Sequence, residues 1–95
     1  MSYIYRGANG NSPLFQLKGG EYKFTSETVR GLSVQVDAPM LTNARGAAYQ
    51  ITDLPTGLRI VQQGKDAGHF EIIPSSQVSQ EQFQSLLNRI KYKKN

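Results

Sequence analysis

The stretch His69-Phe70-Glu71-Ile72-Ile73-Pro74, followed shortly by Val78-Ser79-Gln80-Glu81-Gln82-Phe83, decides the fold class, because the hydrophobic period changes within it. His69 to Ile73 is dense in strand formers and is stopped by Pro74, which has no N–H to give a ladder. Alternation along that strand points His69 and Glu71 to the same face. Ser79 and Gln82 then fit a capping box, and Val78 with Phe83 fits the accompanying hydrophobic staple. Phe83, Leu86, Leu87 and Ile90 fall at i, i+3, i+4 and i+7, an apolar stripe suited to a sheet. The pattern predicts an amphipathic helix from Ser79 to about Tyr92.

The remaining elements read as short strands separated by glycine and proline. Tyr3-Ile4-Tyr5-Arg6 predicts a first strand, broken by the glycine-rich loop Gly7 to Pro13. Leu14 to Leu17 fits a short strand or turn, and Glu21 to Phe24 a second small strand after Gly19-Gly20. In Gly31-Leu32-Ser33-Val34-Gln35-Val36 the period is two, with Leu32, Val34 and Val36 on one face and Ser33 and Gln35 on the other. Asp37-Ala38-Pro39 starts a short helix that Gly46 ends. Ala47 to Ile51 and Leu58 to Gln63 are expected to form a hairpin through Asp53-Leu54-Pro55-Thr56-Gly57, and Gly64 to Gly68 a further turn. The expected architecture is one α+β domain of small twisted, mostly antiparallel β-sheets, with a short helix and a C-terminal amphipathic helix.

Ninety-five residues leave room for one core and no second domain. No cysteine is present, which removes disulfides, thiolate metal sites and a thiol nucleophile. With one histidine and seven scattered acidic residues, no metal is expected. There is no apolar run long enough for a membrane span, and Met1 to Arg6 lacks the pattern of a secretory signal, so action in a cytoplasm without a membrane partner is expected. The net charge of +4 suits nucleic acid, a phosphate-bearing cofactor or an acidic protein partner. Part of it is local: Lys91, Lys93 and Lys94 would sit at the negative end of the closing helix.

The chain carries no phosphate-binding loop, no GxGxxG, no HExxH and no GxSxG. Candidate chemistry therefore rests on strand residues. Arg6 with Gly7 and the glycines after it would suit a phosphate, because a guanidinium offers a planar fork and glycine permits close backbone approach; a surface arginine beside a turn is the plain alternative. Ser33 would hydrogen-bond a ribose or catalytic group, or face solvent. His69 and Glu71 would serve one substrate as imidazole and carboxylate, or be a satisfied edge residue beside a solvated one. Tyr5 and Tyr22 offer rings for stacking, although most aromatics stand at core spacings.

Taken in order, Ile4-Tyr5-Arg6-Gly7, Gly31-Leu32-Ser33-Val34, Tyr49-Gln50-Ile51 with Leu54-Pro55 and Leu58-Arg59-Ile60, and His69-Phe70-Glu71-Ile72-Ile73-Pro74 resemble the Tse-type type VI secretion cytotoxins, whose fold is similar to ADP-ribosyltransferases. The resemblance spans Tyr3 to about Ile90. It implies a toxin of a toxin–antitoxin or effector–immunity pair, acting on NAD or a cytoplasmic target and neutralised by an antitoxin or immunity protein. It also implies that Arg6, with Tyr5 and Gly7, anchors NAD, that Ser33 is the second-strand hydroxyl orienting the catalytic groups, and that Glu71 is the ribose-holding glutamate, with His69 beside it. Two other readings remain: a ribonuclease toxin using His69, Glu71 and Arg6 or Arg59, and a non-enzymatic basic module binding through its lysine tail and exposed strand edge.

Overall fold

The computed structural model describes residues 4–8 and 13–95. Tyr3 and most of the glycine-rich loop after Arg6 lie outside the described residues. The chain forms β1 (Tyr5–Ala8), β2 (Lys23–Phe24), β3 (Val29–Arg30), β4 (Leu32–Gln35), α1 (Ala38–Arg45), β5 (Ala47–Asp53), β6 (Leu58–Gln62), β7 (His69–Pro74), α2 (Gln80–Leu87) and β8 (Lys91–Lys94). Six strands make one sheet in the order β6-β7-β4-β1-β5-β8, and β2-β3 is a separate hairpin. All the pairings are antiparallel. The expected α+β class with antiparallel sheets and two helices is thus observed.

The closing helix begins as its sequence dictates. Ser79 caps it, accepting the Gln82 N–H at 3.1 Å, while the Gln82 side chain accepts the Ser79 N–H at 2.9 Å. The reciprocal box satisfies donors that a helix start leaves orphaned. Phe83 and Leu87 are fully buried and Ile90 nearly so, against Leu32, Val34, Leu58 and Ile72 from the sheet. The segment after β1 completes this core: Phe15 and Leu17 are buried, and the Gln84 amide clamps them, accepting the Leu17 N–H at 2.8 Å and donating to the Phe15 carbonyl at 3.0 Å.

Two expectations are corrected. The helix does not reach Tyr92: it ends at Leu87, its last turn tightens through Ile90 N–H to Leu87 O, and Lys91 to Lys94 pair with β5. Ile90 still completes the apolar stripe, but beyond it nothing apolar repeats at helical spacing, and the open edge of β5 offers backbone partners that a longer helix would forgo. The lysines therefore line a strand rather than a helix end. Nor do β5 and β6 form a hairpin. They are separated by β1, β4 and β7, so Asp53 to Gly57 is a crossover that carries Leu54 and Pro55 inward, and β6 pairs with β7 through the Gly64–Gly68 turn. Turn residues mark where a chain leaves a strand, not which strand it meets next.

Candidate functional site

Alternation sorts β4 and β7 into two faces. Leu32, Val34, Phe70 and Ile72 face α2, and Ser33, Gln35, His69 and Glu71 share the other side, with Ser33 paired to Glu71 and Gln35 to His69. Strand β1 aligns with β5 over four residues but with β4 at Tyr5 and Gln35 alone. Past that single pair the two strands part, and the Arg6 guanidinium fills the gap. Its Nη1 donates to the Ser33 carbonyl at 2.7 Å and its Nε to the Leu14 carbonyl at 2.9 Å. The side chain thus replaces ladder bonds that the parted strands cannot make. Burial, with Arg45 nearby, holds the Arg6 pKa below its usual value and the charge of Glu21 opposes this, but a guanidinium stays protonated.

A cavity of about 570 Å³ opens along this parting, within the usual range for a ligand site. Tyr5, Arg6, Gly7, Ser33 and His69, all named from the sequence, line it. So do Lys18, Glu21 and Arg45, which sequence reasoning missed. Nothing in the sequence separates these three from solvated charges: Lys18 precedes an ordinary Gly-Gly turn, where its N–H donates to the Glu21 carboxylate at 2.9 Å, and Arg45 closes a short helix. Helix α1 forms one wall because Asp37 caps it, Gly46 ends it in the left-handed region at φ 94°, and Gly7 lets it come close. A Cβ on Gly7 would press into the Arg45 and Leu41 side chains, so this glycine serves helix packing.

Glu71 has a different setting. It is 1% exposed, does not line the cavity, and both its oxygens are engaged. Arg30 donates through Nε and Nη2, the latter to Oε2 at 2.7 Å, and the Gly31 N–H donates to Oε1 at 2.9 Å. A Cβ on Gly31 would collide with the Ile72 carbonyl, so only glycine lets the backbone come near enough to donate. Burial pushes the Glu71 pKa up, but the Arg30 hydrogen bonds, the Gly31 N–H, the charge of Arg30 and the contact with His69 together bring it below the usual carboxylate value. The structure thus does not bring Glu71 to the cavity with the other named residues: it is a buried clasp that ties Arg30 and Gly31 to β7.

His69 connects the clasp to the cavity. Its Nε2 lies 3.5 Å from Glu71 Oε2, and its side chain, 29% exposed, borders the open space. Tyr22 is not a stacking platform, because its ring packs 4.9 Å from that of Phe83 and its hydroxyl donates to the Val78 carbonyl. Arg59 is exposed on β6 and does not line the cavity. Among the described residues no cluster of three or more metal-ligating side chains occurs, and no helix is long and apolar enough to cross a membrane. The arrangement can hold an elongated anion: cations from β1, α1 and the Lys18 turn, a ring at Tyr5, and an imidazole backed by a buried carboxylate. Comparison of the chain with protein-family models, with curated proteins and with solved structures finds no match.

Proposed function

We propose that the cleft between β1 and β4 binds NAD, and that the domain is the toxin of a toxin–antitoxin or effector–immunity pair. The observation that supports this is convergence: Tyr5, Arg6, Gly7, Ser33 and His69 come from three strands and meet in one cavity with Lys18 and Arg45. Arg6 is held rigidly by two carbonyls, and its Nη2 has no partner among the described residues, so a pyrophosphate would meet a preset donor. Lys18 and Arg45 add charge from other walls, Tyr5 offers a ring, and Ser33 a hydroxyl. NAD, when bound, supplies an activated ADP-ribosyl group. Glu71 acts only through His69, and Glu21 is the carboxylate that reaches the cavity.

Calorimetric titration with NAD tests the reading, together with inducible expression of the parent chain and of Arg45→Ala in bacteria. Saturable NAD binding, weakened by Arg45→Ala, with growth arrest relieved in step, is the expected result. Absence of NAD binding combined with unchanged growth overturns it. The contact between His69 and Glu71 in a cationic cleft favours the ribonuclease reading second, and degradation of total RNA that is lost in His69→Ala would put that reading first.

A further inference from the structure

Strand β8 lies at the edge of the six-stranded sheet, and its four residues, Lys91, Tyr92, Lys93 and Lys94, are all exposed. The hydrogen bonding of β5 fixes which way its backbone faces. Ile51 N–H donates to the Ile4 carbonyl, so Ile51 faces β1, and the alternate residues Gln50 and Ala48 face β8. Gln50 pairs with Lys93, and Asn95 N–H donates to the Ala48 carbonyl. Lys93 and Asn95 are therefore turned inward, and the backbone groups of Tyr92 and Lys94 point out of the sheet. The side chains alternate in the other direction, with Lys91 and Lys93 on one face and Tyr92 and Lys94 on the opposite one. Tyr92 is braced there by Phe15 and Tyr49, at ring separations of 5.3 and 5.9 Å. None of the three lysines has an ion-pair partner among the described residues.

We infer that β8 is a docking edge for an extended acidic segment of a partner protein, which adds as a seventh strand. Unpaired backbone donors and acceptors alternating along an edge are what another strand satisfies in full, whereas a phosphate backbone accepts from the N–H groups and leaves the carbonyls unmet. Lysines on both faces put a positive charge opposite the alternate side chains of any added strand, so carboxylates at those positions are favoured. The same charges repel a second copy of β8, which keeps the edge from pairing with itself. This inference is independent of what the cleft binds.

The test uses the full chain and a synthetic peptide rich in glutamate and threonine, followed by NMR with amide hydrogen exchange. The peptide is expected to slow exchange at the Tyr92 and Lys94 amides and to bind about tenfold more weakly to the doubly substituted Lys93→Glu, Lys94→Glu chain. Binding should also weaken as salt rises from about 0.1 M to about 1 M, where the Debye length falls from about 10 Å to about 3 Å. Tyr92→Pro, which removes an outward N–H, should lose the interaction, and equal melting temperatures for the lysine variant and the parent would exclude misfolding as the cause of its weaker binding. No binding, binding without protection of those two amides, or tighter binding of an RNA oligonucleotide through the same lysines overturns the inference.

Discussion

The two halves of the sheet are built on opposite terms. On the β6-β7-β4 side the strands stay in register, α2 covers one face with Phe83 and Leu87, and on the other face both oxygens of the buried Glu71 are paired. On the β1-β5-β8 side the sheet parts beside Tyr5, a half-buried arginine fills the gap, and α1 rests on a glycine. The first half stores stability, and the cavity opens where the second half parts from it. A site needs groups that are not fully satisfied within the protein, and such groups are tolerated only where a closed half supplies the stability.

The comparison is broken most severely by Phe83→Ala. Phe83 is fully buried, and truncation of such a residue costs about 3–5 kcal/mol, with a melting temperature lowered by about 4–8 °C per kcal/mol in a domain of this size. Scanning calorimetry should show a loss of this size, and a loss smaller than about 1 kcal/mol would mean that α2 is not the keystone of this half. Glu71→Gln comes next. It turns an amide toward the Gly31 N–H and strips Arg30 of its partner; because Arg30 is 53% exposed, most of the expected cost, about 1–3 kcal/mol, falls on the buried end.

The clasp also sets a pH dependence. The folded pKa of Glu71 lies below its unfolded value, so the folded state favours the ionised form. Its contribution is complete above the unfolded glutamate value of about 4.3 and is lost as pH falls through the lowered folded value. Urea melts of the parent should show a loss of stability in that acid range, and Glu71→Gln should flatten this part of the curve. Ser79→Ala, which removes one arm of the capping box, is expected to lower stability by about 1 kcal/mol in the same melts.

The smallest effect on stability belongs to the other half. Arg45→Ala lies on an exposed helix end and should change stability by less than about 0.5 kcal/mol. If the cleft binds anions, the same variant should lower affinity for NAD several-fold, so a change in binding without a change in melting temperature sharpens the division of labour.

Much of the closed half was legible in the residues. The capping box and the Phe83-Leu86-Leu87-Ile90 stripe are encoded within a few residues; local hydrogen bonds realise the box, and the stripe then meets the sheet as its period implies. The pairing of His69 and Glu71 on one face follows from strand period alone. Harder to read was Glu71 itself: a carboxylate beside a histidine looks like a catalytic pair, and its commitment to Arg30 and Gly31 depends on a chain segment some forty residues away. The cleft was legible in part, through Arg6, Ser33 and His69, but Lys18, Glu21 and Arg45 joined it only through long-range packing.

By itself the sequence determined the class of fold, the capped start of α2, the short α1 between Asp37 and Gly46, and the faces of β4 and β7, because each is set by period, caps and turn residues within reach of one another. The tertiary structure decided that β5 and β6 lie apart, that Lys91 to Lys94 form an edge strand, that Glu71 is buried in a clasp, and that Arg6 bridges parted strands. The physical reason is that backbone groups must find partners wherever the assembled sheet offers them, and those partners belong to residues far away in the chain.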